Sequence, residues 1–306
     1  MLGKKSSGIN FYSLTLHYIL YHLYMKAFLG MGLLGSNFVK AMRQRGEEVN
    51  VWNRTKSRAD ALEAFGAKAF ENAADAVKGA DLIHITLKDD ATVNEVLDLA
   101  SAGFKPGAII IDHTTTSTRG AIERTQNWKA RGVIYLHAPV FMGPPNALEG
   151  SGSMLVSGDQ AIIEKVSPEL NKMTGKLMNL GVTEGKAASI KLIGNSFLIA
   201  MTTGIIDMLG VAKSLGVSTD DVNELFANWN PGAMMPARLK KISGGNFDQP
   251  SWELQMARKD AGLMLAAAAE ANVHLAALPA IAAVMDNWIS KGFANSDWTV
   301  IGSDNL

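Results

Sequence analysis

The chain has 306 residues, and its 29 lysines and arginines balance 29 aspartates and glutamates, so that its formal net charge is zero. That balance argues against bulk electrostatic binding to nucleic acid or to a membrane surface, and we predict neither partner. The absence of cysteine excludes disulfides, thiolate catalysis and cysteine-bound zinc. No two histidines have metal-ligand spacing supported by an acidic partner, so no metal site is predicted.

Residues 1–24 do not share the pattern of the rest of the chain. Lys4 and Lys5 precede an apolar, tyrosine-rich run that is similar to a signal peptide. However, His17 and His22 interrupt the run, no small-residue cleavage site follows it, and it is too short and polar for a membrane span. We interpret 1–24 as a non-native or misassigned extension, with an export or membrane signal as the alternative, and we expect a cytoplasmic protein.

A glycine triplet lies between a short apolar stretch and an amphipathic run, at Gly30, Gly32 and Gly35. In this strand–turn–helix context the first glycine permits a tight turn, and the second allows close approach of a pyrophosphate. The third allows the helix to pack on the strand. The pattern therefore predicts a dinucleotide site, and the alternative is a glycine-rich turn without a ligand. The predicted contacts of this loop are Gly30, Met31, Gly32, Leu33, Leu34 and Gly35.

The segment after the next apolar run indicates which dinucleotide is bound. Residues 48–52 have the pattern of a strand, and an acidic residue at its end would bind the ribose 2′-hydroxyl of NAD. The chain instead continues with Asn53, Arg54 and Thr55, followed by further cations and no carboxylate. Because Arg54 can pair with a 2′-phosphate, we predict NADP, with NAD possible, and place these three residues in the site. The alternative is a solvated helix start with Thr55 or Ser57 as N-cap.

Apolar strands and helical stretches then alternate as far as residue 183, which predicts a mainly parallel, doubly wound α/β sheet. From 184 onward, long apolar-periodic runs dominate and strand signals vanish. We predict an NADP-binding Rossmann domain over 25–183 and an all-helical substrate and dimerisation domain over 184–306, joined by a long interdomain helix. The later predicted strands are 67–69, 82–87, 108–112, 133–137, 154–157 and 176–179, and the predicted helices include 57–65, 91–102 and 118–131.

Lys191 and Asn195 are the candidate catalytic residues. They are four positions apart at the start of the long helix, so they share one helix face. A lysine beside a carboxamide at the mouth of a dinucleotide site suits a reaction at a carbonyl, where the lysine donates a proton and the amide holds the substrate oxygen or the lysine. Partial desolvation would lower the pKa of the lysine toward the working pH. The alternative is an exposed lysine and a solvated asparagine.

Three histidines are weaker candidates. His84 lies inside a predicted strand, which is typical of a core or interface residue. His113 and His137 lie at predicted strand ends, where they could touch a substrate, although polar residues are common at such positions without a function.

From Met25 to the C-terminus the chain resembles the β-hydroxyacid dehydrogenase family, which includes 3-hydroxyisobutyrate dehydrogenase, tartronate semialdehyde reductase, glyoxylate/succinic semialdehyde reductases and part of 6-phosphogluconate dehydrogenase. The opening glycine motif matches the start of the family closely, with one residue fewer in the strand. The other matching segments are the loop 87–92 with Lys88 in place of a proline, the motif 112–116, the helix motif 191–195 with Gly194 in place of an asparagine, and the pair Lys259 and Asp260.

The resemblance implies roles for these segments. Leu87, Lys88 and Thr92 would contact the cofactor, and Thr115 would approach the nicotinamide and the substrate. Lys191 would be the catalytic lysine, and it would share the substrate site with Asn195. On a later helix, Lys259 would close over the cofactor while Asp260 would lie at the substrate.

One motif departs from the family. The substrate loop of the family reads D-A-P-V-S-G-G and binds a carboxylate through serine and glycine amides, whereas residues 137–143 here place Phe141 and Met142 before Gly143. These three residues would contact the substrate. Because the loop is bulkier and more apolar, a larger or less polar carbonyl substrate becomes plausible, as does an imine.

The predicted function is hydride transfer between NADP(H) and a 3-hydroxy acid, semialdehyde or related small carbonyl compound, with a lysine as general acid and base. One alternative is a catalytically altered dinucleotide-binding sensor or interaction protein. Another is an imine reductase-like enzyme, although such relatives usually lack the lysine. We expect a homodimer or homotetramer, because association of subunits would bury the many alanine-rich helical faces.

Overall fold

The computed structural model describes residues 24–305. The predicted extension, 1–24, therefore lies almost wholly outside the described residues. The described chain divides into two compact units, one ending at Gly194 and the other beginning at Asn195. This division falls inside the long helix that the sequence predicts between the domains.

A six-stranded parallel sheet lies at the centre of the first unit, in the order β3-β2-β1-β4-β5-β6. Its registers align Leu29, Trp52, Ile85, Asp112 and His137, so the loops that carry predicted site residues leave the same edge of the sheet. The predicted doubly wound fold is confirmed. The strands are β1 Lys26–Leu29, β2 Val49–Trp52, β3 Lys68–Ala69, β4 Leu82–Ile85, β5 Ile109–Asp112 and β6 Ile134–His137.

Helices alternate with these strands along the chain, as the sequence predicts. The predicted helix 57–65 is wrong in its extent, because hydrogen bonds of Leu62 to Ala59 and of Phe65 to Leu62 tighten its second half into a 3₁₀ turn. The helices of the first unit are α1 Leu33–Gln44, α2 Lys56–Asp60, α3 Ala73–Val77, α4 Asp90–Ala100, α5 Thr118–Ala130, α6 Pro144–Glu149 and α7 Gln160–Leu170.

The strands are buried because successive side chains enter cores on opposite faces of the sheet. In β1, Phe28 belongs to the same buried cluster as Phe38 of α1, whereas Leu29 belongs to a second cluster with Val93 of α4. A sheet covered in this way leaves its strand ends as the open edge, where α/β proteins bind their ligands.

A second, three-stranded sheet follows, made of β7 Val140–Phe141, β8 Ser153–Val156 and β9 Lys176–Asn179. The predicted strands 154–157 and 176–179 are present, but they do not join the main sheet. The two-residue strand β7 pairs antiparallel with β8, and β8 pairs parallel with β9, so these strands bond to one another instead.

The second unit is helical, as predicted. Its core includes Leu254, Ala261, Met285 and Trp288. The carboxylate of Asp207 accepts hydrogen bonds from the backbone amides of residues 276–278, which satisfies donors at a helix start. The main helices are α8 Lys186–Ser214, which begins in the first unit, α9 Thr219–Asn228, α10 Met235–Ser243, α11 Leu254–Glu270 and α12 Leu278–Trp288.

Helix α8 carries a row of exposed apolar side chains, among them Ile193, Phe197, Ile199 and Ile206. By length and hydropathy alone this helix would be able to cross a membrane. Those two properties do not distinguish a membrane span from a helix that is covered by another protein surface.

Candidate functional site

Two glycines of the triplet are required by packing within the loop. Gly30 has φ +101°, a left-handed conformation, and a Cβ there would collide with the carbonyl oxygen of Thr86. A Cβ on Gly35 would collide with the carbonyl oxygen of Gly30. The absence of a side chain at Gly30 therefore lets the loop pass close to Thr86, and its absence at Gly35 lets helix α1 pack on the loop.

Gly32 has a different role, because a Cβ there would meet nothing within 4 Å. It is the N-cap of α1, and within the described chain no side chain caps this helix end and no acid occupies the first turn. The backbone donors and the positive end of the helix dipole thus face open space, which suits an anion. The loop therefore fits the pyrophosphate of a dinucleotide.

A cleft of about 360 Å³ opens beside this loop. We call it the glycine-loop cleft. It brings together nine predicted site residues from five separate segments, and His113 also lies in its wall. The predicted residues in the lining are Gly32, Leu33, Leu34, Gly35, Leu87, Lys88, Thr115 and Met142, together with the catalytic candidate Lys191.

Asn53 fixes the glycine loop from the end of β2. Its Oδ1 accepts a hydrogen bond of 2.9 Å from the Met31 amide, and its Nδ2 donates to the Thr55 carbonyl. Arg54 instead forms an exposed ion pair with Glu95 of α4, with 2.6 Å between Nη2 and Oε2. The sequence analysis missed Glu95, because the two residues lie far apart in the chain.

The loop before α4 is organised by Asp89. Its Oδ1 accepts hydrogen bonds from both the backbone amide and the hydroxyl of Thr92, so it caps the helix. The hydroxyl and amide of Thr92 are therefore engaged within the loop, whereas the exposed Lys88 lines the cleft.

A buried network that the sequence analysis missed holds the loop after β5. The Asp112 carboxylate accepts hydrogen bonds from the Thr114 amide at 2.8 Å and from the Tyr135 hydroxyl at 2.5 Å. Arg124 donates to the Tyr135 oxygen and to Asp90. Burial and the Asp112 charge raise the pKa of Tyr135 well above its usual value, so the hydroxyl stays protonated as a donor.

The same loop is tied to its neighbours at Thr114. Its hydroxyl accepts a hydrogen bond from the Leu87 amide, and its carbonyl accepts one from Nε2 of His137. Thr114 and Thr116 are buried, while Thr115 between them is exposed in the cleft. The hydrogen bonds thus leave Thr115 exposed in the cleft, and its contact with the nicotinamide stays a prediction.

The three histidines have different positions. His113 lies in the wall of the glycine-loop cleft, whereas the side chain of His137 lines another cavity. Nδ1 of His113 donates to the Ala138 carbonyl, so its Nε2 accepts from Nδ1 of His84 at 3.0 Å. Burial lowers the pKa of His113 to about 4 and the pKa of His84 well below its usual value. Both rings are therefore neutral at pH 7.

Lys191 is 8% exposed and lies in the first turns of α8. Its Nζ lies 4.3 Å from the centroid of the Phe141 ring. Burial lowers the pKa of the Lys191 ammonium, which makes it a better proton donor and acceptor near neutral pH. The lysine therefore lies in the cleft with a lowered pKa, and its catalytic role stays a prediction.

A family model describing the NAD binding domain of 6-phosphogluconate dehydrogenase matches residues 26–181, just over half of the chain. The chain belongs to this family. It is an NAD(P)-dependent oxidoreductase of the hydroxyacid dehydrogenase type, and the predicted family resemblance is confirmed.

Relatives of this family match nearly the whole chain. NAD-dependent L-serine dehydrogenase of Pseudomonas aeruginosa is 26% identical over 90% of this chain and 95% of its own length. 2-(Hydroxymethyl)glutarate dehydrogenase of Eubacterium barkeri is 23% identical over 90% and 92%. Among solved structures, an imine reductase from Myxococcus stipitatus in complex with NADP+ has a TM-score of 0.83 at 23% identity, covering 90% of this chain and 98% of its own. At that identity the likeness shows the fold alone.

The substrate loop, whose sequence departs from the family pattern, makes contacts of its own. Phe141 packs against Gly194 and Lys191, and Met142 lines the cleft. The amide of Gly143, a predicted substrate donor, bonds to Oδ1 of Asn146 at 2.8 Å.

The remaining predicted site residues lie in the second unit. Asn195 follows Lys191 by one helical turn of α8 and is half-buried. On α11, Lys259 and Asp260 form an ion pair of 2.9 Å with each other. Their contacts with cofactor and substrate stay predictions.

Proposed function

We propose that this protein is an NADP-dependent reductase or dehydrogenase that interconverts a hydroxy acid, or a related alcohol, and its semialdehyde or carbonyl partner. The observation that supports it most is the buried Lys191, which lines the same cleft as Gly32 and Thr115. When bound, NADP(H) supplies or accepts the hydride. The chain's own residues supply binding, orientation and proton transfer.

Lys191 is the proton donor in the reductive direction. Its ammonium would transfer a proton to the carbonyl oxygen as negative charge develops there, and the neutral amine would take the proton back in the oxidative direction. Burial disfavours the charged form, so the proton is released more readily than from a solvated lysine. Asn195, one turn later, would orient the same oxygen.

The substrate we propose is bulkier or less polar than the smallest 3-hydroxy acids. Met142 adds an apolar wall to the cleft, and the Gly143 amide is engaged by Asn146 rather than directed at a carboxylate. The L-serine and 2-(hydroxymethyl)glutarate dehydrogenases among the relatives support a hydroxy-acid-type substrate. The imine reductase fold likeness makes cyclic imines the second substrate class to test.

Two further proposals concern the cofactor and the assembly. Arg54, at the end of β2, would pair with the 2′-phosphate of NADP, which requires it to leave Glu95. The exposed apolar side chains of α8 support a homodimer or a higher homo-oligomer, because such a surface is covered when two copies associate. A small-molecule substrate and a cytoplasmic location complete the proposal.

The test is NADPH oxidation with a panel of semialdehydes, larger 2-oxo and 3-oxo acids and cyclic imines, measured beside NADPH binding in the absence of substrate. We expect reduction of at least one carbonyl class and its loss in Lys191→Ala with NADPH binding retained. NADPH binding without turnover of any substrate in the panel would instead favour the sensor alternative. Turnover of imines alone would assign the protein to the imine-reducing class.

A further inference from the structure

The ring of Phe141 packs against Gly194 beside Lys191, the proposed proton donor. A Cβ on Gly194 would lie 2.7 Å from Cε1 of the Phe141 ring and closer still to Cζ. No alanine could occupy position 194 without moving the ring. Two of the residues that depart from the family pattern, Phe141 in the loop and Gly194 in α8, are therefore in contact.

The ring that rests on Gly194 also meets Lys191. Nζ lies 4.3 Å from the ring centroid, within the distance at which an ammonium is attracted to an aromatic face. Lys191 is buried, so little water competes with this contact, and the attraction is stronger than at an exposed site.

We propose that Phe141 is a positioning residue for the Lys191 ammonium, held against it by the absence of a side chain at Gly194. The inference deepens the proposed function, because it rests on Lys191 as the proton donor. The ring acts in two ways. It limits the rotamers of the lysine, and it stabilises the charged form against the burial that disfavours it.

The other titratable residues in the lining of the glycine-loop cleft and in the first turns of α8 are basic. The other titratable groups in the lining of the glycine-loop cleft are Lys88, whose side chain is mostly exposed, and His113, which is neutral. On its own helix the nearest titratable neighbour in sequence is Lys186.

The first test replaces Phe141 by leucine and, separately, by pentafluorophenylalanine, which keeps the ring's outline but reverses its charge distribution. In both proteins the pKa of Lys191, followed by NMR of the labelled lysine, should fall by about half a unit to one and a half units relative to the wild type. The high-pH limb of kcat for carbonyl reduction should move down by the same amount. Replacement of Phe141 by thienylalanine, whose smaller ring keeps an aromatic face and adds no atom where Cζ meets Gly194, should leave both values near those of the wild type.

The second test moves the ring without removing it. Gly194→Ala should lower the pKa of Lys191 and reduce kcat more than it changes KM, because the new methyl group displaces the Phe141 ring from the lysine. Gly204→Ala, in the same helix but with open space around its Cβ, is the matched control and should change neither.

The outcomes separate this inference from the proposed function. If Lys191→Ala abolishes turnover but neither Phe141→Leu nor the fluorinated ring moves the lysine pKa, the positioning role is wrong and the catalytic role stands. If Lys191→Ala leaves kcat unchanged, the proposed function fails. An NMR shift in the pentafluoro protein would still establish the contact between ring and lysine.

Discussion

Arg54 and Glu95 form an ion pair, 2.6 Å between Nη2 and Oε2, that joins the end of β2 to α4. The carboxylate of Glu95 thus occupies the guanidinium that is proposed to bind the 2′-phosphate of NADP. Both side chains are more than half exposed, so the pair is weak and the guanidinium can exchange one anion for another.

Glu95→Gln should therefore tighten NADPH binding, since the competing charge is removed. The gain should be below about 1 kcal/mol, the usual limit for an exposed pair. Arg54→Ala should weaken the binding of NADPH by about 2 kcal/mol and the binding of NADH much less. Calorimetric dissociation constants for both cofactors check this, and Glu95→Gln should give no gain when Arg54 is already alanine. Equal losses for NADPH and NADH in Arg54→Ala would contradict the phosphate role.

The two glycine positions 30 and 32 should respond in opposite ways to alanine. Gly30→Ala should destabilise the fold by about 1–3 kcal/mol or more, because a left-handed φ and a collision with Thr86 are both imposed. Gly32→Ala should leave the unfolding free energy nearly unchanged, since its Cβ meets open space, yet weaken NADPH binding. Urea unfolding and cofactor titration separate the two effects. A stable Gly30→Ala protein would show that the loop can relax.

Removing the proposed proton donor should affect chemistry rather than cofactor binding. Lys191→Ala should lower kcat by roughly 10²–10⁴ and leave the NADPH dissociation constant nearly intact. Asn195→Ala should cost less, because the amide orients rather than transfers the proton. The double variant should lose less than the sum of the two free-energy costs, because both residues act on one step. A near-normal kcat in Lys191→Ala would direct attention to His113, which lies in the same cleft.

The buried pair of His113 and His84 should make stability depend on pH. The pKa of His113 is about 4 in the folded protein, against about 6.5 in an unfolded chain, so the unfolded state binds more protons between these values. Stability should therefore fall as pH decreases from about 6.5 to 4, by about 3 kcal/mol for this ring alone. Denaturant unfolding at a series of pH values measures the slope.

His113→Gln should reduce that slope, although it also costs hydrogen bonds at every pH. An identical slope in wild type and His113→Gln would show that other groups govern the acid limb.

The sequence alone determined the alternation of strands and helices, the glycine loop and the lysine of α8. These features are local. The residues that a positive-φ turn, a buried strand or an amphipathic helix requires lie close together in the sequence, so the pattern can be recognised there. The departure at Phe141 was visible as well. What it contacts was not, since nothing in the loop points to Gly194, which is 53 residues later.

Only the tertiary structure showed which distant residues contact one another in and around the site. The pairing of Arg54 with Glu95, the ring of Phe141 on Gly194 and the network from Asp112 through Tyr135 to Arg124 all join residues that are distant in the chain. The separate sheet of β7, β8 and β9 was missed for the same reason. Such contacts depend on how the loops at the strand ends meet in space, and no local periodicity records that.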